Sequence, residues 1–230
     1  MAIYITAVHI DTPGIQQFAE HFMTIMPYER RQAVKSIRQP KAALQSVMGQ
    51  ALLADCLSTK YDLVYRKLQF SKGPHGKPML SGHPDIHFNI SHSDGWVVCA
   101  AGCAKVGIDI EKIHHLKADI AKKCLSPKEQ ADLAAADDPE SYLFRLWVLK
   151  ECYCKYTGEG LFMPFKSASF DIAEDSQIHC GAAPRLLFKE YDIDPLYKMA
   201  ACSAAGLPKD VHIVSLPEIC ARLRLSEPAI

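Results

Sequence analysis

Val106-Gly107-Ile108-Asp109-Ile110-Glu111 alternates apolar with small or acidic side chains. A β-strand sends successive side chains to opposite faces, so Val106, Ile108 and Ile110 share one face. Gly107, Asp109 and Glu111 share the other. Two carboxylates on one strand face repel each other unless water or a cation relieves them. A half-exposed edge strand with a solvated acidic face would satisfy this pattern. So would a pair of ligands for an oxygen-seeking cation such as Mg²⁺. Neighbouring segments must decide between the two.

The segment Ser141–Tyr156 supplies the first argument. It reads as a helix that is apolar nearly all round, which is the pattern of a buried helix. Its charged residues therefore need partners, because a lone buried ion is costly. At 100° per residue, Trp147, Glu151 and Lys155 fall on one side, a turn apart. Glu151 and Lys155 could be an ordinary i,i+4 ion pair, or Glu151 could join Asp109 and Glu111 as a third carboxylate. In the second case a Mg²⁺ ion needs something anionic, such as a phosphate, to complete it. Lys77 lies in the turn-rich loop Gly73–Pro78, where small residues let backbone approach a phosphate. Ser91-His92 ends a strand that alternates strictly over Asp85–Ile90, and loop side chains following a strand often meet ligands. The basic run through Arg30, Arg31, Lys35 and Arg38 reads as a solvated helix face or a phosphate site.

Strands are predicted at 2–10, 85–90, 96–101, 106–110, 167–173, 184–192, 197–203 and 211–215. Helices are predicted from Ile15 to the residue before Pro27, at 41–58, 116–124, 126–136 and about 140–157, with a short one after Pro217. Ser126-Pro127-Lys128-Glu129 carries a helix cap, Pro at the first position and a capping-box Glu. This order implies an α+β fold of two similar lobes in one chain, 1–104 and 105–230, with a pseudo-twofold relation. No linker of low complexity separates them.

The 230 residues are 49% hydrophobic, as expected of a globular chain with a sizeable core. Lys plus Arg and Asp plus Glu number 26 each, so the net charge is zero and the general argument for nucleic-acid binding is lost. Nine cysteines without a C-x-x-C pair suggest free thiols in a reducing cytoplasm rather than a zinc framework. No apolar run approaches the ~20 residues of a membrane span, and the N-terminal run does not look like a signal peptide.

Three segments together resemble the signature motifs of the 4′-phosphopantetheinyl transferases: Phe88-Asn89-Ile90-Ser91-His92-Ser93, Val106–Glu111, and Trp147-Val148-Leu149-Lys150-Glu151-Cys152-Tyr153-Cys154-Lys155. The pseudo-dimeric, surfactin-synthetase-activating type is the most similar. Gly76-Lys77-Pro78, Gly158-Glu159-Gly160-Leu161 and Tyr197–Ala200 extend the likeness over nearly the whole chain. The resemblance implies two α+β lobes with coenzyme A between them, and transfer of phosphopantetheine to a carrier-protein serine with release of adenosine 3′,5′-bisphosphate.

Residue by residue, it implies Asp109, Glu111 and Glu151 as ligands of Mg²⁺, with Mn²⁺ as the alternative. Lys155 and Lys150 would stand near the reacting phosphate. Lys77, Ser91 and His92 would contact the nucleotide and its 3′-phosphate. Around 29–46, where some relatives carry lysines and an arginine, the chain departs from the pattern with Glu29, Gln32 and Gln45 at the nearest positions, and Arg30, Arg31 and Ser46 are the candidates to substitute for them. Glu151 is the candidate base for the serine, beside a water relay at the metal. The apolar Leu161, Phe162 and Met163 could help dock an acyl or peptidyl carrier protein, or be buried locally. Two lobes in one chain make a monomer sufficient. A non-catalytic coenzyme A or carrier-binding module and a Mg²⁺-dependent phosphodiesterase are the competing readings. The intact set Asp109, Glu111, Glu151 and Lys155 opposes the first, and the missing basic stripe opposes the second.

Overall fold

Ala-rich and Leu-rich 40–61 becomes the longest helix because its apolar residues recur on every side and no β-branched run interrupts them. In the computed structural model, which describes residues 3–73, 75–115, 118–160, 165–173 and 177–225, this helix lies across a four-stranded sheet. The first lobe comprises β1 (Ile3–His9), α1 (Ile15–Ile25), α2 (Tyr28–Lys35), α3 (Pro40–Tyr61), the short hairpin β2 (Phe70–Lys72) and β3 (Pro78–Leu80), β4 (His87–Ser93) and β5 (Trp96–Gly102). The second comprises β6 (Val106–Lys112), α4 (Ala118–Cys124), α5 (Pro127–Ala135), α6 (Pro139–Thr157), the hairpin β7 (Phe170–Ile172) and β8 (Ile178–Cys180), β9 (Leu187–Glu190) and β10 (Tyr197–Ser203).

The two lists match element for element. Strand order repeats as well: β1-β5-β4 in the first lobe and β6-β10-β9 in the second, all antiparallel. The α+β fold of two similar lobes expected from the sequence is thus present. Each lobe has its own core under its long helix, with Phe18, Phe22, Met48 and Leu52 in one and Leu146, Leu149, Phe170 and Cys202 in the other. A third core joins them. Ile3, Ile5 and Ala7 of β1, Val98 and Ala100 of β5, Val106, Ile108 and Ile110 of β6, and Met199 and Ala201 of β10 meet between the two sheets.

Strands β5 and β10 are apolar on both faces because each is covered on both, by a helix and by the opposite lobe. That double burial explains why their sequences run without alternation.

Several elements differ from the sequence expectation. Residues 28–35 form a helix in their own right, with Pro27 before it and Val34 buried. The expected strand at 167–173 shortens to β7 and pairs with β8, which at three residues is too short to show a period. The end of the chain does not stay with the second lobe. β11 (His212–Ile213) adds to β1 as a parallel neighbour, and α7 (Leu216–Leu223) packs on α3. Val214, Leu216, Ile219 and Cys220 join the first lobe's core. Those apolar residues complete a cover over α3 and β1, and this draws residues 212–223 away from the lobe in which the sequence reading placed them. No helix among the described residues is long and apolar enough to cross a membrane.

Candidate active site

Strands β4 and β6 are edges of different sheets and run side by side, yet their backbones do not pair. Side chains of β4 do the pairing instead. Asn89, Ser91 and Ser93 alternate onto one face, and each accepts a backbone N–H of β6: Ile108 to Asn89 Oδ1 at 3.0 Å, Ile110 to Ser91 Oγ at 3.4 Å, Lys112 to Ser93 Oγ at 3.1 Å. The two serines then turn their own protons onto the acids. Ser91 donates to Asp109 Oδ1 at 2.7 Å and Ser93 to Glu111 Oε2 at 2.8 Å. The polar ladder therefore holds the lobes together and orients both carboxylates.

Helix α6 crosses directly over β6. A Cβ added to Gly107 would lie 1.9 Å from the carbonyl oxygen of Cys152 and 2.8 Å from the amide nitrogen of Tyr156. Only glycine permits this approach. It brings Lys155 down onto the strand, where its ammonium donates to Asp109 Oδ1 at 2.5 Å and to Ser91 Oγ at 2.7 Å. The Ser91 hydroxyl is then fully used, donating once and accepting twice.

Asp109 is buried, 2% exposed, and its second oxygen, Oδ2, has no hydrogen-bond partner. Glu151 is half-buried, and desolvation followed by the charges of Asp109 and Glu111 pushes its pKa up to about 6, against the pull of Lys155. Burial and Asp109 also raise Glu111, while the Ser93 hydrogen bond opposes this. Three crowded acids and one unfilled, buried carboxylate oxygen are a hard-oxygen donor set, and a divalent cation suits it in charge and ligand type. Among the described residues no three acidic, His or Cys side chains already converge as a cage, and Lys155 lies against Asp109 instead.

A cleft of about 320 Å³ opens beside this cluster, lined by Lys77, Asn89, Glu151, Lys155, Gly158 and Phe165. A second cavity of about 430 Å³ shares Lys77 and Gly158 and extends along Met79, His87 and Lys105. Lys77 reaches across from the first lobe and donates to the backbone carbonyls of Val106, at 3.4 Å, and Lys155. The latter carbonyl belongs to the last turn of α6, which ends at Gly158 in the left-handed conformation (φ 83°). Burial, then the nearby Lys105, depresses the Lys77 pKa to about 8. His92 is exposed on the face of β4 opposite Ser91 and Ser93, and its pKa lies below the ordinary value because protein displaces water from part of its ring and Lys155 repels a second charge.

The other predicted residues stand apart from this cluster. Arg31 on α2 and Ser46 on α3 are half-buried in the first lobe. Neighbouring Arg30 lies 4.1 Å from the ring centre of Phe70, with its Nε and Nη2 buried and unpartnered. Lys150 requires correction. It is fully buried in the second lobe, where its ammonium pairs with Glu129 at 2.9 Å and donates to the carbonyls of Phe165, at 3.0 Å, and Ala168. It turns away from the cleft because residue 150 is rotated a quarter-turn or more from the Glu151–Lys155 stripe, so it is a structural clamp. Leu161, Phe162 and Met163 lie outside the described residues.

Sequence reasoning passed over Asn89 and Ser93, although polar residues at alternate positions of an otherwise apolar strand were the available signal. It also missed the stacking of Trp147 on Phe165, 5.6 Å between ring centres, which lines the same side of α6 as Glu151.

Comparison with known proteins agrees with this architecture. Residues 12–104 match the family model described as 4′-phosphopantetheinyl transferase, N-terminal, and residues 105–203 match the 4′-phosphopantetheinyl transferase superfamily. The chain is 36% identical over 225 residues to the 4′-phosphopantetheinyl transferase Sfp of Bacillus subtilis strain 168, covering 95% of this chain and 100% of that one. A second Bacillus subtilis transferase, ffp, is 32% identical over 94% of this chain and 98% of its own. The gsp transferase of Aneurinibacillus migulanus is 31% identical, over 84% and 83%. The chain belongs to the 4′-phosphopantetheinyl transferase family, in its Sfp type, and is a phosphopantetheine-transferring enzyme.

Proposed function

We propose that this enzyme moves the 4′-phosphopantetheine arm of coenzyme A onto a serine of an apo acyl or peptidyl carrier protein, with a divalent cation held by Asp109, Glu111 and Glu151. The observation that carries the reading is the meeting of Ser91, Asp109 and Lys155 at the seam of the lobes, beside a cleft open to a nucleotide. Mg²⁺, or Mn²⁺ in its place, supplies charge neutralisation for a pyrophosphate when bound. Lys155 shifts from Asp109 to the transferred phosphoryl group and stabilises charge on its non-bridging oxygens. Glu151, with a pKa near the operating range, takes the proton of the attacking serine hydroxyl. Attack on the β-phosphorus forms the new serine–phosphate bond and releases adenosine 3′,5′-bisphosphate. Lys77, Ser91 and His92 line the path of the nucleotide, and Arg31 with Ser46 extends it into the first lobe.

Both lobes contribute side chains, so one chain completes the cleft and a monomer suffices. The nine cysteines form no disulfide with one another among the described residues, which accords with a reducing, cytoplasmic setting. Carrier docking at Leu161, Phe162 and Met163 is part of the same reading and is tested by their replacement with Ser in a carrier titration. The decisive experiment weighs an apo carrier after incubation with coenzyme A and Mg²⁺. Phosphopantetheine mass gain is expected with wild type and is expected to vanish with Asp109→Ala and with Glu151→Gln. Near-normal transfer by either variant at saturating Mg²⁺ would remove that residue from the mechanism.

A further inference from the structure

The repeated architecture gives the cleft a twin. Thr6 and Asp109 are each the fourth residue of their strands, opposite Cys99 and Ala200 at the middle of β5 and β10. Helices α3 and α6 both end at a left-handed residue, Asp62 and Gly158. Counting back seven positions from each pairs Asp55 with Glu151, and counting back three pairs Thr59 with Lys155. Asp55 and Thr6 line one cavity of about 430 Å³, bounded also by Tyr4, Lys60, His212 and Arg222.

The twin differs from the cleft in one chemically telling way. Where Lys155 lays an ammonium on Asp109, the twin has Thr59, whose hydroxyl is spent on the carbonyls of Asp55 at 2.7 Å and Cys56 at 3.3 Å. Arg222 holds only Oδ2 of Asp55, at 3.0 Å. Oδ1 of Asp55 and Oγ1 of Thr6 are buried without a partner, in residues 2% and 8% exposed. An unfilled carboxylate oxygen at such depth is costly, and an ammonium, which donates several hydrogen bonds at once, can satisfy it and the Thr6 hydroxyl oxygen together. At the mouth, Lys60 sits 4.4 Å from the ring centre of Tyr4 and offers positive charge to an anion, with the ring of His212, 3.5 Å from Glu218, as a further polar group and Asp210 also in the wall.

We propose that this cavity binds a small zwitterion of the amino-acid type, its ammonium on Asp55 and Thr6 and its anionic end at Lys60 and His212. The strap formed by β11 and α7 occupies the flank that β4 takes beside β6 and supplies His212 and Arg222 to the cavity wall, and no residue lining this cavity also lines the cleft beside Glu151.

Saturation-transfer NMR on the full chain tests this with three four-carbon probes: γ-aminobutyrate, putrescine and butyrate. Saturable binding of γ-aminobutyrate, with both others about tenfold weaker, is expected from loss of one charged contact in each. Thr6→Val keeps the β-branched shape and strand propensity, so it should fold, as its melting curve will verify, and should weaken γ-aminobutyrate about tenfold. Asp55→Asn should weaken it further. The absence of saturable binding, equal binding of the three probes, unchanged affinity in Thr6→Val, or displacement of γ-aminobutyrate by coenzyme A would each overturn the assignment.

Discussion

A methyl group at position 107 has no room, because the Cys152 carbonyl stands where it would go. Gly107→Ala must therefore lift α6 off β6, and about 3 kcal/mol of stability should be lost, the upper end for overpacking. Urea unfolding will measure this, and transfer activity should fall with it because Lys155 no longer reaches Asp109. Unaltered stability would mean that the helix yields at little cost. Lys150 makes the opposite kind of test. Lys150→Met leaves Glu129 buried and unpaired, so a loss of about 3–5 kcal/mol is expected. Glu129→Gln in the same chain should recover part of it, since it removes the buried charge, while the single amide oxygen can accept from only one of the Ser126 and Phe170 N–H groups that now reach separate carboxylate oxygens. Coenzyme A titration of the folded Lys150→Met protein should show wild-type affinity; a large loss there would return Lys150 to the cleft. At this scale the sequence was legible where spacing alone sets direction, as with Glu151 and Lys155. It misplaced Lys150, whose partner comes from another helix that only the tertiary packing brings near.

The pairing of two unlike sheet edges through side chains makes β4 and β6 a single functional element. Ser93→Ala leaves the Lys112 amide without its acceptor and Glu111 without its donor. A cost of about 1–3 kcal/mol is expected for these groups. Hydrogen exchange should accelerate at Lys112, and Asn89→Ala should do the same at Ile108. If exchange at both amides is unchanged, backbone geometry rather than the ladder holds the seam. The strands themselves were readable from alternation, as were the helix boundaries at Pro27 and Ser126, because those depend on local chemistry. The pairing was not. Which edges meet depends on how two sheets pack, and alternation in either strand carries no record of its neighbour. The hairpins β2–β3 and β7–β8 escaped for another reason: at three residues per strand they are too short to show a period.

Across the whole molecule, Lys77 ties the first lobe to the end of α6, and its titration should be visible in global stability. An ordinary lysine holds its proton to pH 10.5, whereas Lys77 in the folded protein releases it near pH 8. Between those values the unfolded chain binds the additional proton, so stability contributed by this group rises with pH from about 8 to 10.5. The unfolding free energy of wild type should gain on that of Lys77→Met through this window, as urea titrations at several pH values will record. Parallel profiles would contradict the burial of the ammonium. The two-lobe plan was visible in the order of elements, but the return of β11 and α7 to the first lobe was not, since a short amphipathic helix fits any apolar surface. That return has a mechanical consequence. β1 and α7 belong to the same lobe, so residues 106–203 form a closed excursion from it, leaving after β5 and coming back before β11. Tension applied between β1 and α7 runs through the first lobe's sheet and helix and bypasses the second. An enzyme tethered or fused at these two elements would bear load without loading α6, the helix that carries Glu151 and Lys155.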